Sequence, residues 1–313
     1  MSKVLNFVSK NFLTVIIILL ALVPLASFSD YEFYVIARGL QNSIIAVSLV
    51  ILLGYTGQLS LGHAGLLAVG AYTYGILTAT YGVNPWLAFI IAPAVTALTG
   101  AILGIPSFKL KGPFLVVTTI ALGEIVRKLI LNLEWLTRGP YGLMGIKPLF
   151  KDSIMMYYFT LLIVWFICVA TERLSVSKIG LALKAIKVDE IAAEVLGVDV
   201  KKYKLMAFTI SSTLAGISGA IFASLTGYLN PDSFTFADSA TFLLMTVLGG
   251  MTSVPGAVVG ALSVTALPEI LRFLERIRMV IYSLVLLIII RFSKQLGNFK
   301  ISDIFKGKKK EAV

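Results

Sequence analysis

Residues 86–106 run 21 positions without one charged side chain. About 20 apolar residues suffice for a helix to cross the hydrocarbon core of a bilayer. Comparable runs recur from Phe12 and at residues 39–54, 59–79, 114–133, 154–171, 204–225 and 279–292. They are continuous instead of alternating, which indicates helices and not a β-barrel. Two shorter runs, 240–248 and 254–267, flank Gly249-Gly250 and read as a pair of short or broken helices. The expected fold is an all-α polytopic membrane protein with roughly ten transmembrane helices. Only 14% of residues are charged, where a soluble domain carries about a quarter.

The start of the chain, with Lys3 and Lys10 ahead of the first apolar run, resembles a signal peptide. However, Ala26-Ser27-Phe28 is a poor cleavage site and further spans follow at once, so a retained first span is expected. Pro93 is expected to kink the span 86–106, and Trp86 suits an interfacial anchor. The net charge is +11, but the basic residues fall between apolar runs. That is the pattern of positive-inside loops, not of nucleic-acid binding. With both termini cytoplasmic, Lys109, Lys111, Arg173, Lys178, Lys184, Lys187, Lys201, Lys202, Lys204 and the lysine tail fall inside. Only the turn with Arg272, Arg276 and Arg278 falls on the wrong side. Spans two to five and seven to ten then enter from opposite sides, the arrangement of an inverted repeat. The expected division is residues 1–38 (N-terminal cytoplasmic segment, first span, external loop), 39–292 (the main membrane domain, with a cytoplasmic polar loop at 172–204) and 293–313 (basic cytoplasmic tail).

Residues 178–204 form the one long polar interval. Asp189 is placed to cap a short helix, Glu190 suits the positive end of its dipole, and Gly197 fits a left-handed stop. Asp199 is placed to cap the following helix. Ala192 and Ala193 give a small face for another protein to approach. The residues alone leave open whether this is a docking element or an ordinary surface loop. His63, the sole histidine, has no relay partner near it in sequence. It is read as a neutral packing residue bonded to a backbone carbonyl, which alanine would replace with most transport retained. Glu124 and Arg127 share a helix face, either as a pathway or gate pair or as an internal ion pair fixing helix packing. Thr118 and Thr119 on the same span are candidates to face a pathway. Gly100/Gly104, Ala215/Gly219 and Gly256/Gly260 read as packing faces. Cys168, the sole cysteine, is expected to face the core or lipid. The sequence contains no phosphate-binding loop, no His/Cys metal cluster and no plausible catalytic triad, so no cofactor and no enzymatic activity are expected.

Three stretches carry a resemblance. GYTGQLSLGHAGLLAVGAYTYGIL, GLALKAIKVDEIAAEVLGVDVKKYKLMAF and GYLNPDSFTFADSATFLLMTVLGGMTSVPGAVVGA look like segments of the branched-chain amino-acid ABC transporter permeases of the LivM type. They occur in the family's order, and the likeness extends over residues 39–291. It implies one of two membrane subunits of an importer in the cell (inner) membrane. A second permease, two ABC ATPase subunits and an extracytoplasmic binding protein delivering leucine, isoleucine or valine would complete it. It also implies that Glu190, Ala192, Ala193 and Gly197 match the importer signature of the coupling loop, with Ile191 interrupting the usual Glu-Ala-Ala spelling. A urea or short-amide ABC permease, or an ion-coupled secondary transporter using Glu124, are the alternatives.

Overall fold

The computed structural model describes residues 20, 30–107 and 112–270. The first span, Lys109 and Lys111, the Arg272–Arg278 turn, the span 279–292 and the lysine tail lie outside the described residues.

The described chain is a helical bundle. Helix α1 (Asp30–Leu49) opens with Asp30 and Glu32 at its positive end and widens into a π-helical turn, Val50–Tyr55. Helix α2 (His63–Gly75) likewise ends in a π turn, Ile76–Thr80. Helix α3 (Pro85–Ser107) runs through Pro93 without interruption, and α4 (Pro113–Asn132) starts on a proline, whose fixed φ suits the first helical position. A short α5 (Glu134–Thr137) and strand β1 (Leu143–Met144) precede α6 (Ser153–Val176), which is capped by the Asp152 carboxylate accepting from the Ile154 amide. Then come α7 (Lys178–Val188), α8 (Glu190–Val195) and α9 (Val200–Thr226). Strand β2 (Tyr228–Leu229) pairs antiparallel with β1, Leu143 opposite Leu229. Helix α10 (Phe236–Gly249) and α11 (Val254–Ile270) complete the described fold. Among the described residues, four segments are long and apolar enough to cross a membrane: Asp30–Tyr55, Pro85–Ile105, Ser153–Val176 and Val200–Thr226.

Helices α1 and α9 form the centre, antiparallel and joined by polar side chains. The Gln41 amide nitrogen donates to Ser218 Oγ (2.6 Å), and Ser211 Oγ donates to the Ser48 carbonyl (3.0 Å). Helix α9 packs on α2 and α3, while α1 packs on α11, α6 and α10. Small residues set these approaches: a Cβ at Gly70 would meet Gly216 Cα at 2.6 Å, and one at Gly249 would meet the Gly256 carbonyl oxygen at 2.0 Å. The three small-residue pairs expected as packing faces sit at the α3–α9, α9–α2 and α11–α10 contacts. Cys168 is buried. Leu87, Ile90, Leu98 and Ile102 on α3, and Leu162, Trp165 and Phe166 on α6, point outward and suit lipid.

Two boundaries differ from the sequence reading. Helix α1 begins at Asp30, so a division after residue 38 falls inside it. The turn expected at residues 55–58 is a longer irregular segment, and the span expected from 59 becomes helical only at His63. The Gln58 amide returns to the Leu52 carbonyl (3.1 Å), and Thr56 Oγ1 donates to that same carbonyl. The chain therefore folds back along the end of α1 before α2 begins.

Candidate functional site

The polar interval folds as two short helices against one end of the bundle. Ser177 caps α7, accepting from the Gly180 amide (3.2 Å). Lys187 Nζ donates to the Gly54 carbonyl (2.7 Å), and Lys184 Nζ lies 5.3 Å from the centre of the Tyr55 ring. Both lysines thereby fasten α7 to the π turn of α1, where carbonyls left free by the widened helix need donors.

Helix α8 is closed at both ends by local chemistry. The Asp189 carboxylate accepts from the amides of Ile191 (2.8 Å) and Ala192 (3.1 Å). At the other end the Gly197 amide reaches the Glu194 carbonyl (2.9 Å) and the Val198 amide reaches Ala193 (3.0 Å), a Schellman closure with Gly197 at φ +85°. Asp199 then caps α9 through the Lys202 amide (3.0 Å). The sequence-selected residues do not all face one way. Ala192 is exposed, Ala193 is buried against the bundle, and Glu190 turns inward to pair with the buried Lys204. The outward surface belongs to residues that sequence reading passed over: Val188, Ile191, Val195 and Leu196, exposed by 87%, 69%, 82% and 81%. Four exposed apolar side chains thus stand together in the most polar stretch of the chain. Their signal in the sequence was Ile191 itself, the apolar residue that breaks the Glu-Ala-Ala spelling.

His63 lies fully buried at the first position of α2. Its Nε2 is 2.8 Å from Ser211 Oγ and its Nδ1 is 3.1 Å from Ser60 Oγ. Ser211 spends its only hydroxyl proton on the Ser48 carbonyl, so Nε2 must carry the donated proton and Nδ1 accepts from Ser60. The partners are two hydroxyls, not the backbone carbonyl expected from the sequence, and they tie α2 to α9 and α1. His63→Ala leaves both serines short of a partner in a dry interior and should lower stability by about 2–4 kcal/mol. The thermal midpoint and yield in detergent should fall, while uptake per folded molecule stays close to that of the intact chain. A folded variant without uptake would show that the imidazole takes part in transport.

On α4, Arg127 Nη1 donates to Glu124 Oε1 (2.7 Å) and Nη2 to Asp232 Oδ1 (2.8 Å). Asp232 sits in a 3₁₀ turn, Pro231–Ser233, just before α10. The sequence pairs the first two residues by helical spacing; the third is 105 residues away and had no local signal. The arrangement anchors the start of α10 to α4. Thr119 is buried, its hydroxyl donating to the Val116 carbonyl (2.9 Å) and accepting from the Leu61 amide (3.1 Å), so it holds the approach to α2. Thr118 bonds its own helix at the Phe114 carbonyl (2.8 Å). A narrow cleft between α2, α4 and α10 is lined by Gly65, Ile120, Glu124, Phe234 and Ser239.

Comparison with known proteins gives this arrangement a lineage. Residues 32–290 match the family described as branched-chain amino acid transport system / permease component. The high-affinity branched-chain amino acid transport system permease protein LivM of Escherichia coli K12 is 34% identical over 258 residues, covering 73% of this chain and 61% of that protein. LivM of Salmonella typhimurium LT2 is 36% identical over the same coverage, and LivH of that organism is 23% identical over 75% of this chain and 83% of its own. The match thus spans somewhat under two thirds of the length of the LivM relatives. No solved structure matches significantly. With its central helices and polar interval inside the matched region, the chain belongs to the branched-chain amino acid transport system permease family.

Proposed function

We propose that the protein is a membrane permease subunit of an ATP-binding-cassette importer for branched-chain amino acids. The family match over residues 32–290 carries this reading. The structure adds a capped helix, α8, whose Ile191 and Val195 point outward together with Val188 at the end of α7 and Leu196 just past α8. In the proposal this is where ATPase subunits dock. The chain has no phosphate-binding loop of its own, so the energy enters through that contact. A second permease completes the pathway, and an extracytoplasmic binding protein supplies leucine, isoleucine or valine. The subunit sits in the cell's inner membrane with both termini and α8 on the cytoplasmic side.

The proposed architecture is roughly ten spans in two inverted halves. Its support is a correspondence of elements. His63 opens α2 eight residues after Tyr55, and Phe236 opens α10 eight residues after Tyr228, each following a Gly-Tyr pair. In addition, α9 packs on α2 and α3 of the first half, while α1 packs on α10 and α11 of the second.

The test is uptake of labelled leucine into vesicles holding the whole assembly. ATP-dependent uptake, absent without the binding protein, is the expected result. Uptake driven by an ion gradient with no ATP requirement would overturn the reading. Uptake of urea or acetamide but not leucine would overturn the cargo alone.

A further inference from the structure

We infer that Lys204 is a positioning residue that delivers the displacement of α8 to the central helix α9. The inference rests on α8 being the ATPase docking helix and says how movement there enters the membrane. Lys204 is a lysine only 3% exposed, at the fifth position of α9, and its ammonium is paired with Glu190 at the first position of α8. A cation this deep is held only by an opposing charge, since alone it would be costly to keep from water. Two apolar side chains would fill the same space at no loss of stability. What the ion pair adds is a short, directional connection between two elements. Helix α8 needs one: it packs more on α7 than on α9 and reaches α9 in sequence through the residues 196–199.

The receiving face of α9 continues the connection. Ser211 and Ser218 follow Lys204 at intervals of seven residues, so all three lie along one face of the helix. Ser211 bonds the Ser48 carbonyl and His63, and Ser218 bonds Gln41, whose amide oxygen accepts from Arg38 (3.1 Å). Lys204, Ser211 and Ser218 thus stand two turns apart on one face of α9, with the buried Phe208 and Ala215 packed between them, and their partners lie on α8, α1 and the first residue of α2. A push on α8 enters α9 at Lys204 and is carried by the helix itself to Ser211, beside the start of α2.

The experiment uses the complete transporter in proteoliposomes, with ATPase recovery, ATP hydrolysis and leucine uptake measured on the same preparation. Lys204→Met should retain the ATPase subunits and hydrolyse ATP, while leucine moved per ATP falls about tenfold. Lys204→Arg should keep uptake per ATP within about threefold of the intact chain. The exchanged pair, Glu190→Lys with Lys204→Glu, should recover much of what either single change loses. Uptake per ATP unchanged in Lys204→Met, or equally lost in Lys204→Arg, would overturn the inference. Loss of the ATPases from Lys204→Met would also overturn it, because Lys204 would then only shape the docking surface. Failure of the intact chain to bring any ATPase would remove the docking reading and this inference together.

Discussion

A chain carrying Ile191→Asp and Leu196→Asp should reach the membrane in normal amount and bring down no ATPase subunits. Both side chains are exposed in the isolated chain, by 69% and 81%, so their replacement should change its own stability by no more than about 0.5 kcal/mol. In a complex they would be covered. Each buried aliphatic side chain is worth about 1.5–3 kcal/mol, and a carboxylate in its place adds a desolvation cost. Together they should weaken docking at least about a hundredfold. Gly197→Pro should reach the same end by another route. Proline holds φ near −65° and has no amide proton, whereas Gly197 sits at φ +85° and donates to the Glu194 carbonyl. The closure of α8 would open and the four apolar residues would lose their common placement. Co-purification in mild detergent measures both. Undiminished ATPase recovery with the double aspartate variant would sink the docking role.

Gly219→Val should have the opposite signature, with little folded permease recovered at all. A Cβ at this position would stand 2.3 Å from the Leu67 carbonyl oxygen and 2.7 Å from the Ala71 amide nitrogen. Both are backbone atoms of α2, so no rotamer change relieves the clash and the helices must separate. Overpacking in a core costs about 1–3 kcal/mol where side chains yield; here the cost should exceed that range. Gly197→Ala is the control, since nothing lies within 4 Å of its added methyl group and only backbone strain opposes it. Yield of monodisperse protein in detergent should fall sharply for the first and modestly for the second. Equal yields would mean that α2 and α9 do not approach as closely as described.

The sequence disclosed what is local. Apolar runs marked the helices, and Asp189, Gly197 and Asp199 announced the ends of α8 and α9, because caps are chosen by residues one to three positions away. It did not disclose contacts made across the chain. Lys204 reads as one more loop lysine until Glu190 is seen over it, and Asp232 reads as a turn residue until Arg127 reaches it. Nor does apolarity locate where α2 begins. Leu59 and Leu61 belong to the same apolar run as the helix, yet irregular backbone is tolerated there because the protein, not lipid, surrounds it. The exposed apolar surface lies one face away from the small residues that the sequence singles out: Ala193 packs inward, and its larger neighbours look out.

Helix α2 begins inside the bundle and not at its surface, on the fully buried His63, whereas α10 starts on the half-exposed Phe236. His63 contacts Ser211, the twelfth residue of the 27-residue α9, and the Ala64 amide reaches Ser239 near the start of α10 (2.9 Å). The first turn of α10 carries its own carboxylate, Asp238, closing a capping box with Thr235. Helix α2 has no carboxylate in its own first turn, and Gly62 at its cap offers no side chain. A helix start carries about half a positive charge, and deep in a low-dielectric interior it is poorly screened. In the proposed importer that field would raise the energy of a proton or a sodium ion in transit, as half-helix ends do in water channels, while a zwitterion of no net charge would cross it at little cost. In that reading the irregular start of α2 would also be an insulator, letting the membrane keep its voltage while amino acids are moved.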